Sequence, residues 1–251
     1  MSEPVIVSVC MATYNGSAHL AHQLRSILAE LEPADEVVIV DDASADDTVA
    51  IAEGVNDDRV RIIRQEVNQG YVRTFEKAMR QARGDVILLA DQDDEWVPGR
   101  RAILVGAAMD AGVAASNLEL LGTGEALRSP VGGRPWLLKA STSHQRMRNE
   151  LRILAGIAPY FGCAMAVRRD MVRIVTPFPE FLTESHDLWI ATVANASGHL
   201  QHVEEVTVRR RIHESNASAS TPRGLRRVLA SRIMLVRAWW VARGRRPRIT
   251  G

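Results

Sequence analysis

The densest group of reactive side chains in the chain is Asp91-Gln92-Asp93-Asp94, which puts three carboxylates within four residues. Carboxylates at this spacing repel one another unless a cation or solvent relieves them. They follow an apolar run, DVILLA (85–90), that reads as a buried strand. A turn at a strand end brings Asp91 and Asp93 near each other, where one divalent ion could bridge them to phosphate oxygens. Hard oxygen ligands suit Mg²⁺ or Mn²⁺ rather than zinc. The competing reading is a solvated acidic turn that caps the next helix. Asp41-Asp42 ends another apolar run, EVVIV (36–40). A carboxylate there could accept hydrogen bonds from a nucleobase N–H or a ribose hydroxyl, or it could simply form a turn with Ser44. Asp187 follows His186 and precedes Leu188, Trp189 and Ile190. It could act as a general base, or complement the dipole at a helix N-terminus. His213, just past the run RRRI, could ligate a metal or bond a diphosphate, or be an exposed loop histidine.

Alternating strands and helices must position these groups. VIVSVCMA (5–12) is a near-continuous apolar run, as for a strand covered on both faces. Tyr14-Asn15-Gly16-Ser17 supplies turn chemistry and a helix N-cap candidate. Leu20, Leu24, Ile27, Leu28 and Leu31 then recur at helical spacing. Residues 46–48 can start a second helix, residues 59–64 alternate like a strand, and residues 71–83 read as a helix stopped by Gly84. Four strands interleaved with three helices imply right-handed crossovers and a largely parallel sheet. Polar residues follow three strand C-termini: Tyr14 and Asn15, Asp41 and Asp42, and Asp91 to Asp94. In open α/β sheets that edge is where ligands bind. The second half is less regular. Helices are expected at 100–111, 144–154 and 186–196, strands at 113–121, 162–167 and 200–211, and a long loop at 122–140, a length that points to function or mobility.

With 251 residues, 46% hydrophobic and 24% charged, the chain has a globular composition and enough length for a sizeable core. Two cysteines, Cys10 and Cys163, exclude a disulfide scaffold and a multi-cysteine zinc module, and both are expected as buried free thiols. The N-terminus shows no basic, apolar secretory signal, and no stretch approaches the ~20 apolar residues of a membrane span. The expected compartment is the cytoplasm. The net charge of +1 conceals an asymmetry: residues 209–251 hold twelve arginines and one acid, Glu214, leaving an acidic body. Such a basic tail suits an anionic partner. Its Leu, Ile, Val and Trp residues suit either packing on the body or lying in a membrane interface, and no nucleic-acid-binding motif accompanies the charge. The sequence has no P-loop, no dinucleotide-binding glycine fingerprint, no G-x-S-x-G and no zincin histidine pair.

Taken in order, VSVCMATYNG, EVVIVDDASADDT (36–48), NQG (68–70), GDVILLADQDDEWVPGR (84–100), FGCAMAVRRDM (161–171), SHDLWI (185–190) and RIHESNAS (211–218) resemble glycosyltransferase family 2. The DQDDEW, HDLW and RxHxxNxS forms look most like bacterial polysaccharide transferases, especially rhamnosyltransferase-like members. The resemblance implies an α/β fold of GT-A, Rossmann-like type: a mostly parallel sheet flanked by helices. Its domain would span residues 1–218, with a nucleotide-binding half (1–100) and an acceptor-binding half (101–218), followed by a basic amphipathic tail (219–251).

The resemblance also implies roles. Thr13, Tyr14 and Asn15 would line the base pocket. Asp42 would bond the uracil or thymine, with Asn68, Gly70 and Arg73 beside the nucleotide. Asp91 would meet the ribose and metal-bound water, Asp93 the Mg²⁺ or Mn²⁺ ion, and His213 the diphosphate and metal. Trp96 and Asp94 would shape the sugar and acceptor side. Asp187 would be the catalytic base, with Glu184 the nearby rival, because many members carry Glu-Asp where this chain has His186-Asp187. The implied reaction is inverting transfer from a UDP- or dTDP-sugar to a hydroxyl of a polysaccharide or lipid-linked acceptor. With such an acceptor, the basic Trp-containing tail is expected to make peripheral contact with anionic membrane, and no nucleic-acid partner is expected. A sugar nucleotidyltransferase would share the sheet and acids, but would need a glycine-rich basic loop that MATYNGSAHL lacks. A non-catalytic nucleotide-sugar-binding module would not require Asp187 near the donor.

Overall fold

The computed structural model describes residues 4–212 and 224–245. Four strands form first: β1 (Val7–Thr13), β2 (Glu36–Asp41), β3 (Val60–Arg64) and β4 (Val86–Ala90). They are joined by helices α1 (Leu20–Leu28), α2 (Thr48–Gly54) and α3 (Tyr71–Gln81). All four pair in parallel, in the order β3-β2-β1-β4. Their runs are apolar throughout because both faces are covered. Along β1, Cys10 enters one core cluster while Val7, Val9 and Met11 enter the other. Ile87 and Leu89 of β4 likewise face away from Val86, Leu88 and Ala90, which is the two-residue alternation of a pleated strand.

The second half adds β5 (Glu95–Trp96), α4 (Arg100–Ala111), β6 (Val113–Leu120), α5 (Arg146–Ala155), β7 (Met165–Arg168), α6 (Arg169–Val175), α7 (His186–Ser197), β8 (Leu200–Arg210) and α8 (Leu225–Gly244). The eight-stranded sheet runs β3-β2-β1-β4-β7-β6-β8-β5. β7 is wedged antiparallel between β4 and β6, and β5 lies antiparallel to β8. All other strands point one way, so the sheet is mostly parallel as expected. Two elements lie outside the sequence reading: the two-residue β5 and the short α6.

α8 is part of the body along one face. Leu235, Ala238 and Ala242 enter the same core cluster as Trp189, Ile190 and Val193 of α7. Both cysteines are buried free thiols.

Candidate functional site

The C-terminal ends of β1, β2 and β4 are neighbours in the sheet, so the three polar segments that follow them share one rim. Hydrogen bonds tie the segments together. The Tyr14 N–H donates to Gln92 Oε1 (2.9 Å), and Gln92 Nε2 donates back to the Tyr14 carbonyl (3.1 Å). Asn15 takes a left-handed φ of 47°, which asparagine tolerates. Its N–H donates to Ser44 Oγ (3.0 Å), and its Oδ1 accepts from the Ala45 N–H (2.8 Å). The Gly16 N–H donates to Thr48 Oγ1 (2.7 Å). A side chain at Gly16 would collide with the Gln92 carboxamide, which explains the glycine.

Thr13, fully buried, donates to Asp41 Oδ2 (3.0 Å). Asp42 is equally buried. Its Oδ1 accepts from the Gln69 N–H (2.7 Å) and Gln65 Nε2 (2.8 Å), and its Oδ2 from the Gly70 N–H (2.9 Å). Asp42 therefore anchors the Asn68-Gln69-Gly70 turn against β2. Asn68 Oδ1 also accepts from the Gly70 N–H (3.1 Å), and Gly70 sits at φ 84°, where glycine has no Cβ penalty. Arg73 donates to Glu76 (2.9 Å) and to the carbonyls of Phe178 (3.1 Å) and Pro179 (2.8 Å). Its guanidinium thus clamps the segment ahead of α7.

The acidic turn after β4 is the electrostatic centre. Ligand atoms of Asp91, Asp94 and Cys163 lie within 4.8 Å of one another. Burial, reinforced by Asp94 and Asp93, pushes the Asp91 carboxyl well above the usual carboxylate range. Burial and Asp93 push Asp94 up as well. Asp94 Oδ1 accepts from the Arg211 N–H (3.0 Å), and its Oδ2 is buried without a hydrogen-bond partner. A buried, unsatisfied carboxylate oxygen beside a second carboxylate is an arrangement that a cation relieves. Burial raises the Cys163 thiol, so it stays protonated beside Asp94. The donor set is therefore oxygen in character and fits a hard divalent ion.

Asp187 lies in the first turn of α7. Its Oδ1 accepts from the Leu188 N–H (2.7 Å), and the carboxylate also accepts from the Gly162 N–H. Burial lifts it to about 6, against these bonds and the nearby Arg210 charge. Its charge in turn reaches Asp91. Ser185 enters the helix at a left-handed φ of 60°, with its N–H on Tyr71 Oη (2.9 Å). His186 stacks on Phe75 with ring centroids 4.3 Å apart, and burial lowers it to about 3, so the ring is neutral. Glu184 takes a hydrogen bond from the Ser231 hydroxyl on α8. That contact turns it toward the C-terminal helix, whereas Asp187 shares the charge field of the acidic turn.

One expectation changes. Trp96 is buried and belongs to the core with Leu20, Leu24 and Leu104, rather than facing sugar or acceptor. Pairing of β5 with β8 turns it inward, where Arg100 lies 4.5 Å over its ring. Asp94, expected on the sugar and acceptor side, lies beside Asp91. Asp93 stands beside that pair as a further negative charge, and its carbonyl accepts from Arg211 Nε (3.0 Å). His213 lies outside the described residues.

Three residues of the site escape sequence reasoning. Arg210 loses solvation, but Cys163, Asp91, Asp94 and Asp93 outweigh that loss and hold its guanidinium above its ordinary value. Its charge also rests 5.3 Å over the Phe161 ring. Cys163 joins Asp94, and fully buried Arg100 binds the Leu89 carbonyl (3.0 Å), the Cys163 carbonyl (2.6 Å) and Thr207 (2.7 Å) beneath the acidic turn. The one available signal was the arginine run ending β8. Cavities of about 360 and 330 Å³ lie elsewhere, and neither is lined by Asp91, Asp94 or Asp187. Charge and geometry, rather than enclosed volume, mark the site.

The chain is similar in sequence and fold to known glycosyltransferases. The chain is 32% identical over 92 residues to the Escherichia coli UDP-Glc:alpha-D-GlcNAc-diphosphoundecaprenol beta-1,3-glucosyltransferase WfaP, covering 37% of each protein. Matches to curated relatives such as the succinoglycan biosynthesis protein ExoO span about a third of those proteins' length. The fold resembles S. aureus TarS in complex with UDP-GlcNAc, with a TM-score of 0.67 at 17% identity, covering 93% of this chain and 66% of that one. It also resembles glucosyl-3-phosphoglycerate synthase from Mycobacterium tuberculosis in complex with Mn²⁺, UDP and glucosyl-3-phosphoglycerate, with a TM-score of 0.62 at 19% identity, covering 96% of this chain and 80% of that one. The model of glycosyl transferase family 2 matches residues 8–174, which hold β1 through α6 and with them the whole acidic rim except Asp187 and Arg210: the chain belongs to glycosyl transferase family 2, with the GT-A fold.

Proposed function

We propose that the protein is an inverting, divalent-metal-dependent glycosyltransferase. It moves a sugar from a UDP- or dTDP-linked donor, with rhamnose among the candidate sugars, to a hydroxyl of a cell-surface polysaccharide or lipid-linked glycan. Residues 1–100 serve the nucleotide and residues 101–218 the acceptor. The observation that carries this reading is that Asp187, lifted by burial to about 6, lies within charge range of Asp91, whose carboxylate groups with that of Asp94. The Mn²⁺ and UDP named with one structural neighbour, the UDP-GlcNAc named with another, and the diphosphoundecaprenol glycan named for WfaP support metal, donor and acceptor class.

In this reading the Thr13–Asn15 turn and the Asp42-anchored turn at Asn68 and Gly70 bracket the nucleobase. Arg73 stiffens the wall behind them. Asp91 and Asp94, with Asp93 adjacent, would hold Mg²⁺ or Mn²⁺. When bound, the ion would supply charge neutralisation for a departing nucleoside diphosphate. Asp187 takes the proton of the acceptor hydroxyl as the new glycosidic bond forms on the opposite face of the sugar from the leaving diphosphate. A value near 6 leaves it ionised at neutral pH yet more basic than an ordinary aspartate. Arg210 keeps it ionised by opposing the effect of burial. A nucleoside diphosphate sugar is charged and does not cross a bilayer unaided, so the reaction belongs in the cytoplasm, at the inner membrane face when the acceptor is lipid-linked.

A thermal-shift screen of UDP-, dTDP- and GDP-sugars with and without Mn²⁺ tests the proposal. Stabilisation by a uridine or thymidine donor that requires the ion is expected. No nucleotide response under any condition would overturn it.

A further inference from the structure

α8 has a second face that the body does not use. Met234, Leu235, Ala238 and Ala242 are buried against the core. At 100° per residue the opposite stripe holds Leu229, Ile233, Val236 and Trp240, and all four are exposed, Trp240 to 65% and Leu229 to 62%. Arg226 and Arg237 border this stripe on one side, and Arg232 and Arg243 on the other. Residues 224–245 carry six arginines and no acid. No helix among the described residues is long and apolar enough to cross a membrane. An apolar stripe flanked on both sides by cations, on a helix that does not span, is the pattern of a helix lying in an anionic lipid interface. A second protein copy fits less well, because pairing this face with itself would bring like-charged arginine rows together.

The inner face of the same helix, with Arg237 on its flank, touches the segment that leads to Asp187. Ser231 donates to Glu184, the Thr183 hydroxyl meets Met234 Sδ at 3.9 Å, and Arg237 lies 4.2 Å over the Phe181 ring. We infer that α8 docks on anionic membrane through Leu229, Ile233, Val236 and Trp240, and that its inner face holds the 181–187 segment at a fixed height above the lipid. This extends the lipid-linked-acceptor part of the proposed function and rests on it for its purpose. The lipid contact itself follows from the helix alone.

The test is co-sedimentation of the full chain with vesicles of phosphatidylcholine, and with vesicles of phosphatidylcholine mixed with phosphatidylglycerol. Binding to the anionic vesicles alone is expected, weakening with salt, with a blue shift of tryptophan emission. The double variant Ile233→Glu/Trp240→Glu changes exposed positions and should keep the wild-type melting temperature while losing at least ~10-fold in vesicle affinity. Arg226→Gln/Arg243→Gln should bind less and lose part of the salt dependence. Absent binding, equal binding to neutral vesicles, unchanged binding by the Glu variant, or a self-association that this variant abolishes without any vesicle binding would each overturn the inference. The nucleotide-dependent thermal shift, measured on the same proteins, stays as in the wild type if only the lipid face is altered. Its loss in wild type would count against the donor reading instead.

Discussion

Gln92 and Tyr14 hold each other's chain: the amide of Tyr14 donates to the Gln92 side-chain oxygen, and the Gln92 side-chain nitrogen donates to the Tyr14 carbonyl. The pair joins the loops after β1 and β4, 78 residues apart, so the turn assigned to the nucleobase and the acidic turn move as one. Gln92→Ala should cost about 1–2 kcal/mol of stability and weaken donor binding. Gly16→Ala should cost a similar amount, since its Cβ would push the Gln92 carboxamide off Tyr14. In the double variant the second change should cost less than in the single one. Melting temperatures of all four proteins give the coupling, and strict additivity would contradict the contact.

Asp187→Asn should lose ~10²–10⁴-fold in kcat with little change in donor affinity. In the wild type, kcat should fall as pH drops through about 6, because the base is then protonated. Arg210 opposes the effect of burial on Asp187, so Arg210→Gln should move that acid limb to higher pH. Steady-state profiles of the three proteins decide it, and near-wild-type turnover by Asp187→Asn would remove the assignment.

Asp91, Asp94 and Asp187 all have raised values in the folded state. Between the unfolded carboxylate range near ~4 and these raised values, the folded chain binds more protons than the unfolded one. Stability therefore falls as pH rises through that window and levels off above it. Buried, neutral His186 has the opposite sign below ~6.5, so the carboxylate effect shows above it: without divalent metal the melting temperature should be higher near pH 6.5 than near pH 8. Added Mn²⁺ should stabilise more at pH 8, where the carboxylates are free to bind it. A metal effect independent of pH would argue against the carboxylate site.

Asp94→Ala and Asp93→Ala separate the two carboxylates that follow Gln92. The Asp91–Asp94 grouping with its unpartnered Asp94 oxygen predicts that Asp94→Ala abolishes metal-dependent nucleotide binding in calorimetry. Asp93→Ala should weaken it less. The reverse ranking would assign the ion to Asp93.

Arg100→Met should destabilise by about 3–5 kcal/mol, since it removes a buried guanidinium from the Leu89 and Cys163 carbonyls and from Thr207, leaving Thr207 only its bond to Ser116. Burial already lowers this guanidinium to about 10, which shows how far it sits from water. Chemical denaturation checks it; a loss below ~1 kcal/mol would mean that the network relaxes.

Hydropathy along the chain is enough to lay out the first half of the fold and the location of its rim. Parallel strands buried on both faces must be apolar throughout, and a polar residue can follow only where such a strand leaves the core. VIVSVCMA, EVVIV and DVILLA therefore announced β1, β2 and β4, and with them the places of Tyr14, Asp42 and Asp91. Tertiary structure alone decided what those residues meet. β5 is two residues long and exists only because Glu95 and Trp96 pair with β8, more than a hundred positions away. No local period could signal it, and without it Trp96 reads as a surface aromatic. β7 was legible as a strand but not as one inserted antiparallel between β4 and β6. That insertion brings Cys163 beside Asp94 and the Gly162 N–H to Asp187. Arg210 enters the same group from the end of β8. Burial and mutual charge, which set the proton affinities at the site, arise from chain segments that sequence keeps apart and packing brings together.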